Sequence, residues 1–132
     1  MQPAVLITGG ARRIGAAIAS AFGHAGWHVV IHHRDSHEEA EALAAALPSA
    51  ETISCDLADG NAAVAMITEL AGRLEDWRLL VNNASVFEHD TSDQLDPALF
   101  AAAMAINAET PVRMTQAFLA QARAAGGRRV IQ

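Results

Sequence analysis

Thr8-Gly9-Gly10-Ala11-Arg12-Arg13-Ile14-Gly15 follows the apolar run Val5-Leu6-Ile7 and opens an alanine-rich periodic stretch. Three glycines at the junction of a strand and a helix suit one kind of chemistry. Glycine lets the backbone turn tightly and approach a pyrophosphate, and the helix N-terminus offers it free N–H groups and a partial positive charge. Arg13 occupies the intermediate position where a glycine is expected. An ordinary glycine-containing turn is the plainer reading, but the place of this one, after the first strand and opening a helix, favours a dinucleotide.

Other reactive residue types form no comparable pattern. His24 and His28 are four apart, but Gly26 lies between them at a helix end and breaks the facing geometry of a metal pair. His32 and His33 are adjacent on a strand and point to opposite faces. No metal site is expected. Cys55 reads as a small buried residue, since nothing near it in sequence would lower its pKa. Met66, Met104 and Met114 sit at helical spacing and read as core, and packing accounts for Trp27 and Trp77. All nine basic residues are arginine, and the chain has neither lysine nor tyrosine.

Composition narrows the function classes. With 132 residues, 52% hydrophobic and 18% charged, the chain reads as one globular domain, residues 1–132, able to bury roughly two-thirds of its unfolded surface. A net charge of −6 argues against nucleic acid, which needs a basic stripe to neutralise its phosphates. No apolar run approaches the ~20 residues that span a bilayer, so no membrane partner is expected. A lone cysteine permits no internal disulfide, and no secretory leader is read ahead of Val5; the expected setting is cytoplasmic.

The elements that must position the glycine turn follow from periodicity. Ala4–Thr8, Val29–His32, Thr52–Ser54, Leu79–Val81 and Val130–Ile131 read as buried strands. Arg13–Ala25, Ser36–Leu47, Asn61–Leu74 and a stretch from Pro97 to Ala125 read as helices, the last broken near Asn107–Pro111 because Pro111 disfavours helical geometry before it. Ser36 and Glu39 have capping-box spacing, and Gly126-Gly127 punctuates the end of the last helix. Strand–helix alternation with continuously apolar strands predicts an α/β fold: a doubly wound parallel sheet of about five strands, covered on both faces.

Four stretches, in order, resemble the short-chain dehydrogenase/reductase family: TGGARRIG (8–15), CDL (55–57), NNAS (82–85), and Asn107 with Pro111 in INAETP. The match covers the whole chain but looks like only the N-terminal half of a family domain, lacking its C-terminal strands. It implies a Rossmann-like sheet of order 3-2-1-4-5. It also implies a nicotinamide dinucleotide held by Thr8, Gly9, Gly10, Ile14 and Gly15, by Asp56 and Leu57, and by Asn83, Ala84 and Ser85. Asn107 resembles the helix-borne asparagine of the catalytic tetrad, which holds a water in the proton relay. In the full-length form, a homo-oligomer is implied.

Arg13, with HHR (32–34) and NNASVF (82–87), is most similar to the pteridine-reductase branch. The resemblance places Arg13 over the cofactor phosphates, where a guanidinium makes a charge-assisted contact that glycine could not. The alternative is a solvated arginine at a helix start, where the helix dipole disfavours it. Arg34, with Arg13 nearby and His33 assisting, favours the 2′-phosphate of NADPH over NAD. Asp35 departs from the branch, which would more comfortably carry a serine; it is expected to face solvent or cap the next helix. Phe87 is placed to stack on a pterin ring, with a loop phenylalanine of no such role as the alternative.

The family chemistry is hydride transfer to a C=N or C=O bond, with a tyrosine as proton donor, a lysine four residues later, and a serine or aspartate before it. Without tyrosine or lysine, this chain carries Asn107 alone of that group and is expected to be inactive by itself. The reading is an NADPH-dependent reductase of a dihydropteridine or similar imine or carbonyl, present as its cofactor-binding half. A non-catalytic dinucleotide-binding module or degraded reductase fragment is the alternative; a methyltransferase is disfavoured by NNAS and Asn107.

Overall fold

The computed structural model describes residues 1–87 and 91–132. Five strands form one parallel sheet: β1 (Ala4–Ile7), β2 (His28–His33), β3 (Ala50–Ser54), β4 (Trp77–Val81) and β5 (Arg129–Ile131). Their order is β3-β2-β1-β4-β5. Val5 lies opposite Val29 and Leu79, and Leu6 opposite Val30 and Leu80. Alternate side chains therefore feed two cores.

On one face Leu6, Val30 and Leu80 pack against Met66, Ile67 and Leu70 of α3 (Gly60–Arg73) and Met114 and Phe118 of α5 (Thr110–Gln121). On the other, Val5, Ile7, Val29 and Ile31 pack against Ala19 of α1 (Arg13–His24) and Ala40 of α2 (His37–Ala46). Each large side chain so buried contributes about 1.5–3 kcal/mol. The small residues on α1 and α2 let those helices lie close to the sheet.

An irregularity in β4 explains how Trp77 joins the α3 side. Ala4 pairs with Trp77 but Val5 with Leu79, so Arg78 is an extra residue and the alternation changes phase. Trp77 then meets Phe118 edge to face at 4.7 Å between centroids, and its Nε1–H donates to the Leu79 carbonyl at 2.9 Å. Beside it the Asp76 carboxylate accepts from Arg78 and from the Ala125 N–H, which ties the approach to β5 onto β4.

Several expected boundaries are corrected. The capping box does not form: Ser36 makes no side-chain cap bond. Its carbonyl accepts from Ala40 instead, while Glu38 and Glu39 face the positive end of the α2 dipole. The anticipated break near Pro111 is a π-helical turn, Ala105–Glu109, joining α4 (Pro97–Met104) to α5; Pro111 sits in the first turn of α5, directly after that irregularity. Gly126-Gly127 does not end the last helix. Helix α5 stops at Gln121, and Arg128 caps its carbonyls at Leu119 and Ala122. Met66 and Met114 are buried, but Met104 is half exposed.

Candidate active site at the strand ends

The strand order reverses between β1 and β4, and the C-terminal ends of strands at such a point open a crevice. Here it is a cleft of about 380 Å³, with Gly9, Arg13, Gly15, Asp56, Ala84 and Ser85 among its lining. That volume is within the range of small-molecule sites.

Two long-range contacts build the cleft. The buried Thr8 hydroxyl accepts from the Asn83 and Ala84 N–H groups at 3.0 and 2.9 Å. Its proton points to the Val81 carbonyl at 3.4 Å. Asn83 Nδ2 returns two bonds, to the carbonyls of Thr8 at 3.1 Å and Gly9 at 3.2 Å. The glycine turn and the loop after β4 are thus stitched together, and Thr8 acts on the site from beneath.

Gly15 permits this closeness. A Cβ there would collide with the Gly9 carbonyl oxygen and stand 2.7 Å from Asn83 Nδ2. Gly9 itself adopts φ +60°, and Arg13 adopts φ +52°. Arginine thus takes the left-handed backbone that glycine would supply freely, at a cost of about 1–2 kcal/mol. Arg12 is the N-cap residue of α1, which has no side-chain cap and no acidic residue in its first turn. The N-terminal end of α1 therefore suits an anion from the cleft.

A second cavity of about 270 Å³ lies between the turn and the end of β2, with Arg12, His33, Arg34 and Ser36 in its lining. Arg34 Nε is 3.5 Å from Asp35 Oδ2, both side chains being mostly exposed. Asp35 therefore pairs with Arg34, and Ser36 holds the N-cap position instead. His33 is 4% exposed, and its buried Nδ1 has no hydrogen-bond partner; its ring is 5.5 Å from that of His37. Two guanidinium groups, Arg12 and Arg34, share this cavity and suit a negatively charged group. Arg12 and not Arg13 shares this cavity.

The far wall comes from three segments. Asp56 Oδ1 accepts from the Ala58 N–H at 3.0 Å, which shapes the turn after β3. The Leu57 carbonyl accepts from the Thr110 hydroxyl at 2.7 Å, fixing that turn to α5. Asn107, in the π-helical turn, grips the Val86 peptide, and Ile106 beside it lines the cleft. π-turns are common where helices carry functional residues. Gly10 lies behind the wall, where a Cβ would meet the Ile7 carbonyl at 2.9 Å.

Two predicted residues stand apart. Ile14 lines the cleft mouth at 70% exposure, while Phe87 is 88% exposed and outside the lining; residues 88–90, next to Phe87, are outside the described part. Cys55 also lines the cleft, but burial, Asp56 and Asp59 push its thiol upward, against nucleophilic use.

His32 and Arg12 carry structure that sequence reasoning passed over. His32 Nδ1 is 3.0 Å from the Gly9 N, and Nε2 is 2.8 Å from the Cys55 carbonyl. Burial lowers its pKa, His33 adds to the effect, and the Cys55 carbonyl opposes it. Among the described residues no three His, Cys, Asp or Glu side chains are grouped to hold a metal. No described helix is long and apolar enough to cross a membrane.

Residues 3–132 match the family described as short chain dehydrogenase. A sorbitol dehydrogenase from Cereibacter sphaeroides is 36% identical over 124 residues, covering 93% of this chain and 48% of that protein. A 3-oxoacyl-[acyl-carrier-protein] reductase from Staphylococcus aureus is 28% identical over 129 residues, covering 88% and 52%. Among solved structures, FolM alternative dihydrofolate reductase 1 from Brucella suis, in complex with NADP, has TM-score 0.81 and 34% identity, covering 91% of this chain and 51% of that one. A short chain dehydrogenase from Burkholderia cenocepacia, also with NADP, has TM-score 0.87 and 32% identity, covering 96% and 52%. The chain spans about half the length of the curated relatives it matches.

Proposed function

The chain belongs to the short chain dehydrogenase family, and from that premise we propose that it binds NADPH, as the cofactor-binding part of an oxidoreductase acting on a dihydropteridine or a similar imine or carbonyl. The observation that carries this reading is the second cavity. Arg12 and Arg34 line it together, with the Asp35 carboxylate paired to Arg34 beside them. A 2′-phosphate supplies both the charge and the acceptors such a place needs, whereas a free 2′-hydroxyl calls for a carboxylate. NAD is therefore the weaker ligand. The NADP named with two of the similar solved structures supports the same choice.

Each part of the cleft has a task under this reading. Gly9, Gly15 and the N-terminus of α1 hold the pyrophosphate, with Arg13 over it. Asp56 and Leu57 border the adenine side, and Asn83, Ala84 and Ser85 the nicotinamide side. NADPH supplies a hydride when bound. Asn107 holds the nicotinamide-side loop through the Val86 peptide, and it contributes to the proton relay by positioning. The sequence contains no tyrosine or lysine, so neither donates the proton from within these residues.

A pteridine-type substrate is favoured by Arg13 at the glycine position and by the likeness to FolM alternative dihydrofolate reductase 1. A second reading, a non-catalytic dinucleotide-binding module, rests on the absent tyrosine and lysine. Calorimetry with NADPH and NADH tests the cofactor assignment, and equal affinities would sink it. Steady-state NADPH oxidation with a dihydropteridine separates the two readings: the chain alone is expected to bind without turnover, and turnover in a protein with the family's full length favours the reductase.

A further inference from the structure

We infer that His32 is the positioning residue of the glycine turn, and that it works only as a neutral imidazole with its proton on Nε2. The inference rests on the reading of the cleft as a dinucleotide site. The tautomer follows from the partners. The Gly9 backbone N–H, 3.0 Å from Nδ1, can only donate, so Nδ1 must present a lone pair. The Cys55 carbonyl, 2.8 Å from Nε2, can only accept, so Nε2 must carry the hydrogen. A single protonation state satisfies both.

The ring ties three separate segments: the turn after β1 and the end of β2, which border both cavities, and the end of β3, which borders the first. It also completes the restraint of Gly9. The Gly9 carbonyl accepts from Asn83 Nδ2, its N–H donates to His32, and its φ is +60°. With both polar groups engaged, the peptide planes around Gly9 keep the orientation on which the close approach of Gly15 depends. A second proton, placed on Nδ1, would face the Gly9 N–H donor to donor, and the turn would have to open.

The surroundings resist that proton. Arg12 and Arg13 from the turn and His33 and Arg34 from β2 and its end share these cavities with His32, as do Cys55 and Asp56 from the β3 side. Asp35, paired with Arg34, lines the second cavity as well, so three guanidinium groups stand against two carboxylates. At 2% exposure the ring also has little water to stabilise its charge. Its folded pKa lies below the ordinary 6.5. The unfolded state therefore takes up the proton first, and the clamp is intact near neutral pH and lost in acid.

The test uses the 132-residue chain, acid-stable NADP⁺ as the probe, and His32→Asn, whose Oδ1 can accept from the Gly9 N–H at every pH. Wild-type affinity should fall by about tenfold per pH unit once the pH drops below the His32 pKa. This comes on top of the shallower fall shared with His32→Asn, which reflects protonation of the 2′-phosphate near pH ~6. Nitrogen-15 NMR of the free wild-type chain should find the Nε2–H tautomer at neutral pH, with the His32 ring and Gly9 amide titrating at one midpoint. Coincident pH profiles for the two proteins, or a proton on Nδ1 at neutral pH, overturn the inference. If His32→Asn does not fold, the wild-type titration decides, and a Gly9 amide indifferent to His32 overturns it. If the coupled titration is seen but NADP⁺ does not bind at neutral pH, the clamp stands and the cofactor reading fails.

Discussion

Asn107 and Val86 exchange two hydrogen bonds of 2.9 Å: the side-chain oxygen accepts from the Val86 N–H, and the side-chain nitrogen donates to the Val86 carbonyl. A side-chain amide thus substitutes for a strand partner at the point where the chain leaves the sheet. Asn107→Ala removes both bonds and should destabilise the chain by about 1–2 kcal/mol, measured by urea unfolding. Asn107→Asp should be no better, because a carboxylate offers no donor and faces the Val86 carbonyl. An aspartate variant as stable as wild type would show that the bond donated to the Val86 carbonyl contributes nothing.

Arg34 should set the choice between cofactors. Arg34→Ala is expected to weaken NADPH binding by roughly tenfold or more while leaving NADH almost unchanged, since a charge-assisted bond contributes ~1.5–3 kcal/mol. Asp35→Ser should tighten NADPH by a few-fold, because the carboxylate 3.5 Å from Arg34 Nε competes for that guanidinium. Calorimetry reads both effects, and parallel losses for NADPH and NADH would count against the assignment.

Arg13 should trade stability against binding. Its φ of +52° is unstrained for glycine, so Arg13→Gly is expected to stabilise the free chain by up to about 1 kcal/mol. The same substitution should weaken NADPH several-fold by removing a phosphate contact. A variant that is both less stable and tighter-binding would contradict the role given to this side chain.

Acid stability should depend on Glu51. Its pKa is lowered from 4.5 to about 2, first by the hydrogen bond from His28 and further by Arg73, against the opposing effect of burial. A carboxylate with a depressed folded pKa adds stability that is full above the unfolded value and is lost as pH falls through the folded one. Stability should therefore decline between pH 4.5 and about 2, and Glu51→Gln should flatten that part of the curve. An unchanged slope in the variant would assign acid sensitivity elsewhere.

Phe87 offers a check on the substrate class. In a full-length form, Phe87→Ala should raise KM for a dihydropteridine more than for a small aliphatic carbonyl compound. Equal effects would remove the ring-stacking argument, worth on the order of 1 kcal/mol.

The parts legible in the sequence were those whose cause is local. Continuous apolar runs announced buried parallel strands, and their order came with the resemblance. The glycine spacing announced the turn. What escaped depends on distant partners. His32 looks like one half of an alternating pair, because the groups that define it, Gly9 N–H and Cys55 C=O, each lie 23 residues away. Arg12 was overshadowed by Arg13, since only the folded turn brings it beside Arg34. The Ser36–Glu39 spacing misled because a capping box also needs the right backbone angles, and Ser36 has φ −84° and ψ 50°.

The stitch between Thr8 and Asn83 joins positions 75 residues apart. A link of that span must meet a loop-closure entropy before its contacts can offset it, so it belongs to the slow, non-local part of folding. The segment β1-α1-β2-α2-β3 can gather through nearer contacts, but the crevice has no second wall until β4 docks on β1. Cofactor binding should therefore appear with the last cooperative phase of refolding. A dinucleotide present during folding would select the finished topology without accelerating the steps before it.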